Sequence, residues 1–168
     1  MRFLETERLL FRSHELADEP AFVRMHMDPE VRRYVGGRAW PLREARERFK
    51  KYLGKPTKTY GLWATVLKEN DEYIGCCGLI ADKGGLHLGY YLARPYWGRG
   101  LASEAAKAFV DVAFRRLRAS RILADVEKGH DASVRILEKF GFHYMREEEV
   151  GVKGRIICHY ELAKTRIA

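Results

Sequence analysis

The sequence predicts a single α/β domain, a mixed sheet with helices set between its strands, and three observations carry that prediction. Leu86 to Leu117 reads as strand, glycine-punctuated turn and long helix. Leu88, Tyr90 and Leu92 alternate with His87, Gly89 and Tyr91, and apolar residues then recur at 101, 105, 108, 109, 112, 113 and 117, the spacing of one buried helical face. Segments of period two and period 3.6 alternate along the rest of the chain in the order β-α-α-β-β-β-α-β-α-β-β. Finally, 168 residues, 46% apolar and 32% charged, are the size and make-up of one soluble globular domain with a sizeable core. No linker, repeat or low-complexity segment interrupts residues 1–168, which are therefore read as one unit.

Taken in order, Thr6 to Arg12 is the first expected strand, with Leu9 and Phe11 on one face. Glu15 to Met27 follows as a helix carrying Pro20 in its first turn, where a missing N–H does no harm. Asp28 to Tyr34 breaks that helix, Gly36-Gly37 opens a loop, and Pro41 starts a second helix that is apolar at 42, 45, 49, 52 and 53. Tyr60–Leu67 and Tyr73–Ile80 read as strands joined by the polar turn Lys68–Glu72, and Gly75 and Gly78 in the second predict a bulge or a close backbone approach. Lys83-Gly84-Gly85 leads into the 86–117 unit. Arg121–Glu127 is a further strand, and His130 or Asp131 is expected to cap a helix from Ala132 to Phe140, which Gly141 ends. Phe142–Val150 and Arg155–Leu162 close the chain as a hairpin.

Composition excludes some classes and leaves others open. No apolar run approaches the length of a membrane span, and Met1 to Glu7 lacks the core of a signal peptide. Cys76, Cys77 and Cys158 are odd in number and show no metal spacing, so they are expected as reduced core thiols in a cytoplasmic protein without a bound metal. A net charge of +8 fits a polyanionic ligand and equally a ribosomal or nucleic-acid partner. No nucleic-acid motif accompanies the charge. The basic runs Arg43–Lys51 and Arg115–Arg118 read as solvated faces, the second complementing a helix C-terminus.

The turn Arg94-Pro95-Tyr96-Trp97-Gly98-Arg99-Gly100 carries the functional signal. Two glycines open the approach to backbone N–H groups, and the following helix N-terminus supplies unpaired N–H groups and a favourable dipole, which together make an anion cradle suited to a pyrophosphate. A triphosphate P-loop is disfavoured because no Gly-Lys-Ser/Thr follows, and a dinucleotide site because the spacing is Gly-x-Gly-x-Ala with no acidic residue about twenty positions on.

Trp97-Gly98-Arg99-Gly100-Leu101-Ala102, followed by Ser103-Glu104-Ala105, resembles the coenzyme A motif of the GNAT superfamily of N-acetyltransferases. The opening phrase Thr6–Arg12 and the phrase from Ala132-Ser133 to Leu137-Glu138-Lys139-Phe140-Gly141-Phe142 also resemble it, specifically the branch of ribosomal-protein N-terminal acetyltransferases. The resemblance implies the GNAT fold, with about seven strands and about four helices. It implies acetyl-CoA as co-substrate, bound by Leu92, Ala93, Arg94, Trp97, Gly98, Arg99, Gly100, Leu101, Ala102, Ser103, His130 and Ser133. A Cβ on Gly100 is then expected to crowd the phosphate turn. The implied reaction is direct acetyl transfer to a primary amine, either a ribosomal-protein N-terminus or a small amine. No membrane or direct nucleic-acid partner is expected, and a homodimer stays open. The alternative is a catalytically degenerate coenzyme A-binding module, motivated by two departures: His130 replaces an Asn, and Leu137 stands where many branches carry a catalytic Tyr.

Amide formation from a thioester needs a neutral amine, a stabilised oxyanion and a proton for the leaving thiolate. A free α-amino group with a pKa of about 7.7–8.0 asks little of a base. The resemblance implies that the oxyanion is held by the backbone N–H of Leu92. His87 is the candidate base or relay, standing where relatives carry Glu, and histidine is a residue type suited to moving a proton. Ser133, in the first turn of its helix, is the candidate partner of the coenzyme sulfur, or simply satisfies its own backbone. Tyr90, Tyr91, Tyr96 and Trp97 are read as packing, with one of them walling the acetyl tunnel as the alternative. His26 is read as an unremarkable helical residue.

Overall fold

In the computed structural model, residues 1–53, 60–82, 84–151 and 154–164 are described. Among them the strands are β1 (Arg2–Glu5), β2 (Leu9–Arg12), β3 (Gly61–Leu67), β4 (Glu72–Asp82), β5 (Gly85–Leu92), β6 (Arg121–Glu127), β7 (His143–Val150) and β8 (Arg155–Ala163). The helices are α1 (Glu19–Met27), α2 (Pro29–Arg32), α3 (Leu42–Lys50), α4 (Leu101–Asp111) and α5 (Asp131–Lys139). One mixed sheet runs β1-β2-β3-β4-β5-β6-β8-β7, antiparallel at every step except β5–β6, which is parallel.

Both faces of β3 and β4 are covered, so they read as near-continuous apolar runs. On one face α4 and α5 pack over Leu9, Phe11, Trp63, Leu79, Leu88 and Ile122. On the other, α1, α3 and the segment leading into α3 bring Phe22, Phe49 and Trp40 against Ala64 and Tyr73. On the second face of the sheet, Tyr91 at the end of β5 meets His26 of α1, while His87, Asp125 and His159 of β5, β6 and β8 line an open cleft. Gly78 and Gly75 behave as their positions in the strand predict. A Cβ at Gly78 would lie 1.9 Å from the Gly61 carbonyl oxygen, and one at Gly75 would lie 2.0 Å from that of Tyr91. The β3–β4 register also slips between Thr65 and Val66, the expected bulge.

Two elements exceed the sequence-based count. β1 is a four-residue edge strand held by Phe3, whose ring stacks on Trp63 at 4.1 Å. Thr6 to Arg8 is the turn between β1 and β2, closed by Thr6 N–H on the Leu9 carbonyl at 2.9 Å, so the strand begins at Leu9. α2 forms where a break was expected, because the Asp28 carboxylate accepts from Glu30 N–H and Pro29 opens the turn. The first helix also starts later than expected. Leu16–Asp18 is a 3₁₀ turn, and its buried Asp18 accepts two 2.8 Å bonds from Arg12, tying the end of β2 to the start of α1. Beyond α4 the helix continues as a wider π turn, Val112–Arg116.

Candidate active site

The site forms where β5 parts from β6. Their pairing is recorded at His87↔Leu123, and beyond it the strands diverge among the described residues. Ala93 N–H bonds the Ile74 carbonyl on β4 at 2.8 Å. Successive strand residues alternate in direction, so the N–H and carbonyl of Leu92 turn the other way, toward the opening. The carbonyl accepts the Trp97 indole N–H at 2.7 Å, which folds the turn back over the strand end. The Leu92 N–H stays on the open side.

The glycine turn leaves the strand immediately afterwards. Gly98 and Gly100 hold φ of +72° and +76°, and α4 makes its first helical bond from Glu104 N–H to the Gly100 carbonyl. The N–H groups of Leu101, Ala102 and Ser103 therefore lack intrahelical partners. A Cβ on Gly98 would meet nothing within 4 Å, and one on Gly100 only the Arg8 guanidinium at 3.5 Å. The expected crowding at Gly100 is thus not caused by the protein itself; glycine is required by the left-handed backbone. Arg94 lies on Asp28 (3.1 Å) and Arg99 near Glu69 (3.7 Å), both exposed enough to re-aim.

A cleft of about 900 Å³ continues from Gly100 and Ser103 along α4, bordered by Arg8, Lys107, Arg116 and Lys139. Glu104 fixes its rim. Its carboxylate accepts from Thr6 Oγ1 at 2.5 Å, Arg8 N–H at 2.9 Å and Arg8 Nε at 2.7 Å, while Arg8 Nη1 reaches the Arg99 carbonyl at 2.9 Å. Burial pulls this carboxyl upward, but the three donors outweigh it and leave it below the ordinary range. The Thr6–Arg8 phrase thus braces the turn from 96 residues away, a link that no local sequence signal exposes.

α5 closes the opening from the helical face. Ser133 is buried, and its Oγ lies 2.7 Å from the hydroxyl of Tyr90 on β5. Burial pushes the Tyr90 phenol up to about 12 despite the serine bond, so it remains protonated at neutral pH. Sequence reasoning treated Tyr90 as packing; its even position on β5, shared with Leu88 and Leu92, was the available signal. His130 is the N-cap of α5, yet neither it nor Asp131 makes a side-chain cap. Instead the imidazole stacks on Tyr34 at 4.5 Å, joining the α2–α3 loop to this helix, and burial lowers its pKa.

His87 faces the opposite side of the sheet. Its Nδ1 lies 3.3 Å from Asp125, which also takes His159 Nδ1 at 2.7 Å, all lining a cleft of about 640 Å³. β5 is regular, so His87 and the Leu92 N–H, five residues apart, are separated by roughly 16 Å. One reacting centre cannot touch both. Any part His87 takes is as a relay. Cys76, Cys77 and Cys158 are buried and free; burial raises the Cys76 thiol to about 12 and also pushes the Cys77 thiol well up. Among the described residues no group of His, Cys, Asp or Glu could hold a metal ion. No helix there is long and apolar enough to cross a membrane.

Comparison with known proteins decides the family. The sequence pattern of the acetyltransferase (GNAT) domain matches residues 8–143. The chain belongs to the GNAT acetyltransferases. It is 33% identical over 168 residues to a Bacillus licheniformis protein named uncharacterized N-acetyltransferase p20, covering 95% of this chain and 94% of that one. Among solved structures, a GNAT-family acetyltransferase from Bacillus anthracis superposes with a TM-score of 0.84 at 22% identity, over 97% and 98% of the two chains. RimL, the ribosomal L7/L12 α-N-protein acetyltransferase solved with coenzyme A, superposes with a TM-score of 0.72 at 13% identity, over 97% and 98%. At such identities the structural matches speak to the GNAT fold alone. Acetyl-CoA is the co-substrate that the family implies. The glycine turn fits it, since two left-handed glycines lead into a helix N-terminus whose first N–H groups lack intrahelical partners, and Gly100 and Ser103 line the adjoining cleft.

Proposed function

We propose that this GNAT protein is an N-acetyltransferase that moves an acetyl group directly to a primary amine, on a small molecule or a protein N-terminus, within a ternary complex. The observation that carries the reading is the Leu92 N–H, turned into the β5–β6 opening at the head of the glycine turn. The Gly98–Ser103 backbone would hold the pyrophosphate, with Arg94 and Arg99 alongside. Trp97, His130 and Ser133 would flank the arm that runs into the opening. Bound there, acetyl-CoA supplies an activated acyl thioester.

The chain's own part is then electrostatic and acid–base. The Leu92 N–H donates to the carbonyl oxygen as negative charge gathers on it, at no reorganisation cost. The Ser133 hydroxyl, backed by the Tyr90 phenol, is the proton donor offered from the helical side of the opening. His87, held by Asp125, drains the amine's proton through intervening water. The inaccessible, protonated Cys76 and Cys77 argue against an acyl-enzyme and so for direct transfer.

Calorimetric titration with acetyl-CoA at low and high salt, followed by thiol release on an amine panel, tests the proposal. Saturable one-to-one binding and release with at least one amine are expected. Ser133→Ala and His87→Ala should lower turnover while leaving coenzyme affinity nearly unchanged. Binding without release on any amine would overturn the catalytic reading, and no binding at low salt would overturn the site itself.

A further inference from the structure

Arg32, the last residue of α2, is 7% exposed, and a guanidinium so enclosed calls for an anionic partner. The chain gives it none among the described residues. The bond recorded for it is Nε to the Arg38 carbonyl, at 3.3 Å, which leaves the donors on both Nη atoms unused. Neighbouring cations are provided for: Arg38 and Arg48 share Glu44, Arg33 has Glu30 and Arg94 has Asp28. Arg32 instead sits among apolar and like-charged groups. Its guanidinium carbon is 4.2 Å from the Trp40 ring centre, and that of Arg48 is 4.4 Å from the same ring. Burial, with Arg48 and Arg38, works against its charge, which a guanidinium nevertheless keeps.

The position of this cation matters as much as its solitude. His26 stacks on Trp40 at 4.3 Å and lies 6.3 Å from the ring of Tyr91. Arg32 and Tyr91 are close enough for each to bias the other's ionisation. Tyr91 precedes Leu92 on β5 and points to the face opposite α4 and α5, the side left for an acceptor when the coenzyme enters from the glycine turn. The unpaired cation therefore lies on the acceptor side, in the cluster of Trp40 and His26 that reaches Tyr91, the residue before Leu92.

We propose that Arg32 anchors a carboxylate of the acceptor, so that the amine substrate is a small molecule of the amino-acid class. A planar anion suits this group, because neither Nη has a hydrogen-bond partner among the described residues and the flat face of the guanidinium is already held by Trp40. This rests on the N-acetyltransferase reading, and the test separates the two.

Matched pairs of amino acids and their amides are compared as acceptors with saturating acetyl-CoA, alongside a peptide with an acidic second residue. N-acetylated amino acids and their amides are titrated calorimetrically into the coenzyme-loaded protein. The free acids should be preferred by on the order of 30-fold or more in kcat/KM, the scale set by removing one partner of an enclosed charge pair. Arg32→Met should abolish that preference through KM, with kcat and acetyl-CoA affinity retained, and Arg32→Lys should restore part of it. Thermal unfolding of both variants checks that they fold. Equal use of acids and amides, or a preference for the acidic peptide, overturns the anchor while leaving N-acetyl transfer standing. If no amine is turned over, failure of every N-acetylated amino acid to bind also overturns it. Loss of acetyl-CoA binding in the unmodified protein overturns the functional reading instead.

Discussion

His26 and His14 show what a buried polar residue costs when nothing answers it. Both rings are almost fully enclosed by aromatic neighbours, and none of their nitrogens has a hydrogen-bond partner among the described residues. Burial pushes His14 down to about 4 and His26 to about 3. The folded protein thus keeps both neutral well below the pH at which the unfolded chain takes up their protons, near 6.5. Their contribution to stability is complete above that pH and is lost as pH falls toward 4, by about 1.4 kcal/mol per pH unit for each ring. His26→Phe should halve this acid slope, measured as urea midpoints between pH 7 and pH 5. It should also stabilise the protein at pH 7 by about 1–3 kcal/mol, since an unsatisfied buried group is removed. An unchanged slope would mean that His26 is solvated or partnered in solution. Tyr90 is the opposite case, a buried hydroxyl with its partner in place. Tyr90→Phe should lower kcat only roughly fivefold, the worth of one neutral hydrogen bond, while Ser133→Ala costs on the order of 10²-fold. Stopped-flow turnover at saturating acetyl-CoA distinguishes the two, and equal losses would make Tyr90 a proton donor in its own right.

At the scale of elements, what the sequence reveals follows from how local the cause is. The 86–117 unit, the β3–β4 hairpin and the closing hairpin are set by periodicity and turn residues within a few positions, and they stand where the pattern puts them. The glycines at 75 and 78 announced a close approach for the same reason. β1 escaped because four residues give too little alternation, and its strength lies in Phe3 stacking on Trp63, sixty positions away. α2 escaped because an Asx-type cap and a proline rebuilt a turn that looked like a break. In the site, the glycine turn was legible, whereas Tyr90–Ser133 and Glu104–Arg8 depend on partners that only the sheet order brings together, and the isolation of Arg32 on how the α2–α3 segment folds around Trp40. The glycine turn itself makes a sharp prediction. Gly100→Val forces a β-branched residue to φ +76°, a strain of about 1–3 kcal/mol. The backbone's escape from that strain re-aims the N–H groups of the cradle. Acetyl-CoA affinity should fall well beyond the stability loss, read by calorimetry beside thermal unfolding. A variant that unfolds earlier yet binds normally would show that the cradle tolerates another backbone conformation.

At the scale of the whole molecule, the sheet is two antiparallel halves joined along one parallel seam. β1 to β5 form one half and β6, β8 and β7 the other, and among the described residues the seam is recorded as the single pair His87↔Leu123. Side chains cross it on both faces, Tyr90 to Ser133 above and His87 to Asp125 below. The apolar packing of α4 with Leu88, Leu92, Ile122 and Val126 lies on one side of the seam. A ligand that lies in the seam, with its phosphates on α4 and its arm against α5, would act as a cross-brace between halves that the backbone joins weakly. A ligand at 100 times its Kd stabilises the folded state by about 2.7 kcal/mol, but that figure does not say where the gain is felt. The seam geometry does. Hydrogen exchange with saturating acetyl-CoA should slow at the 98–103 turn, along β6 and in the first turns of α5. The centre of β3 and β4, paired on both edges and covered on both faces, should change little. Protection confined to the 98–103 turn would mean that the phosphates bind while the arm stays outside the seam, and the Leu92 N–H would then have no acyl group to act on.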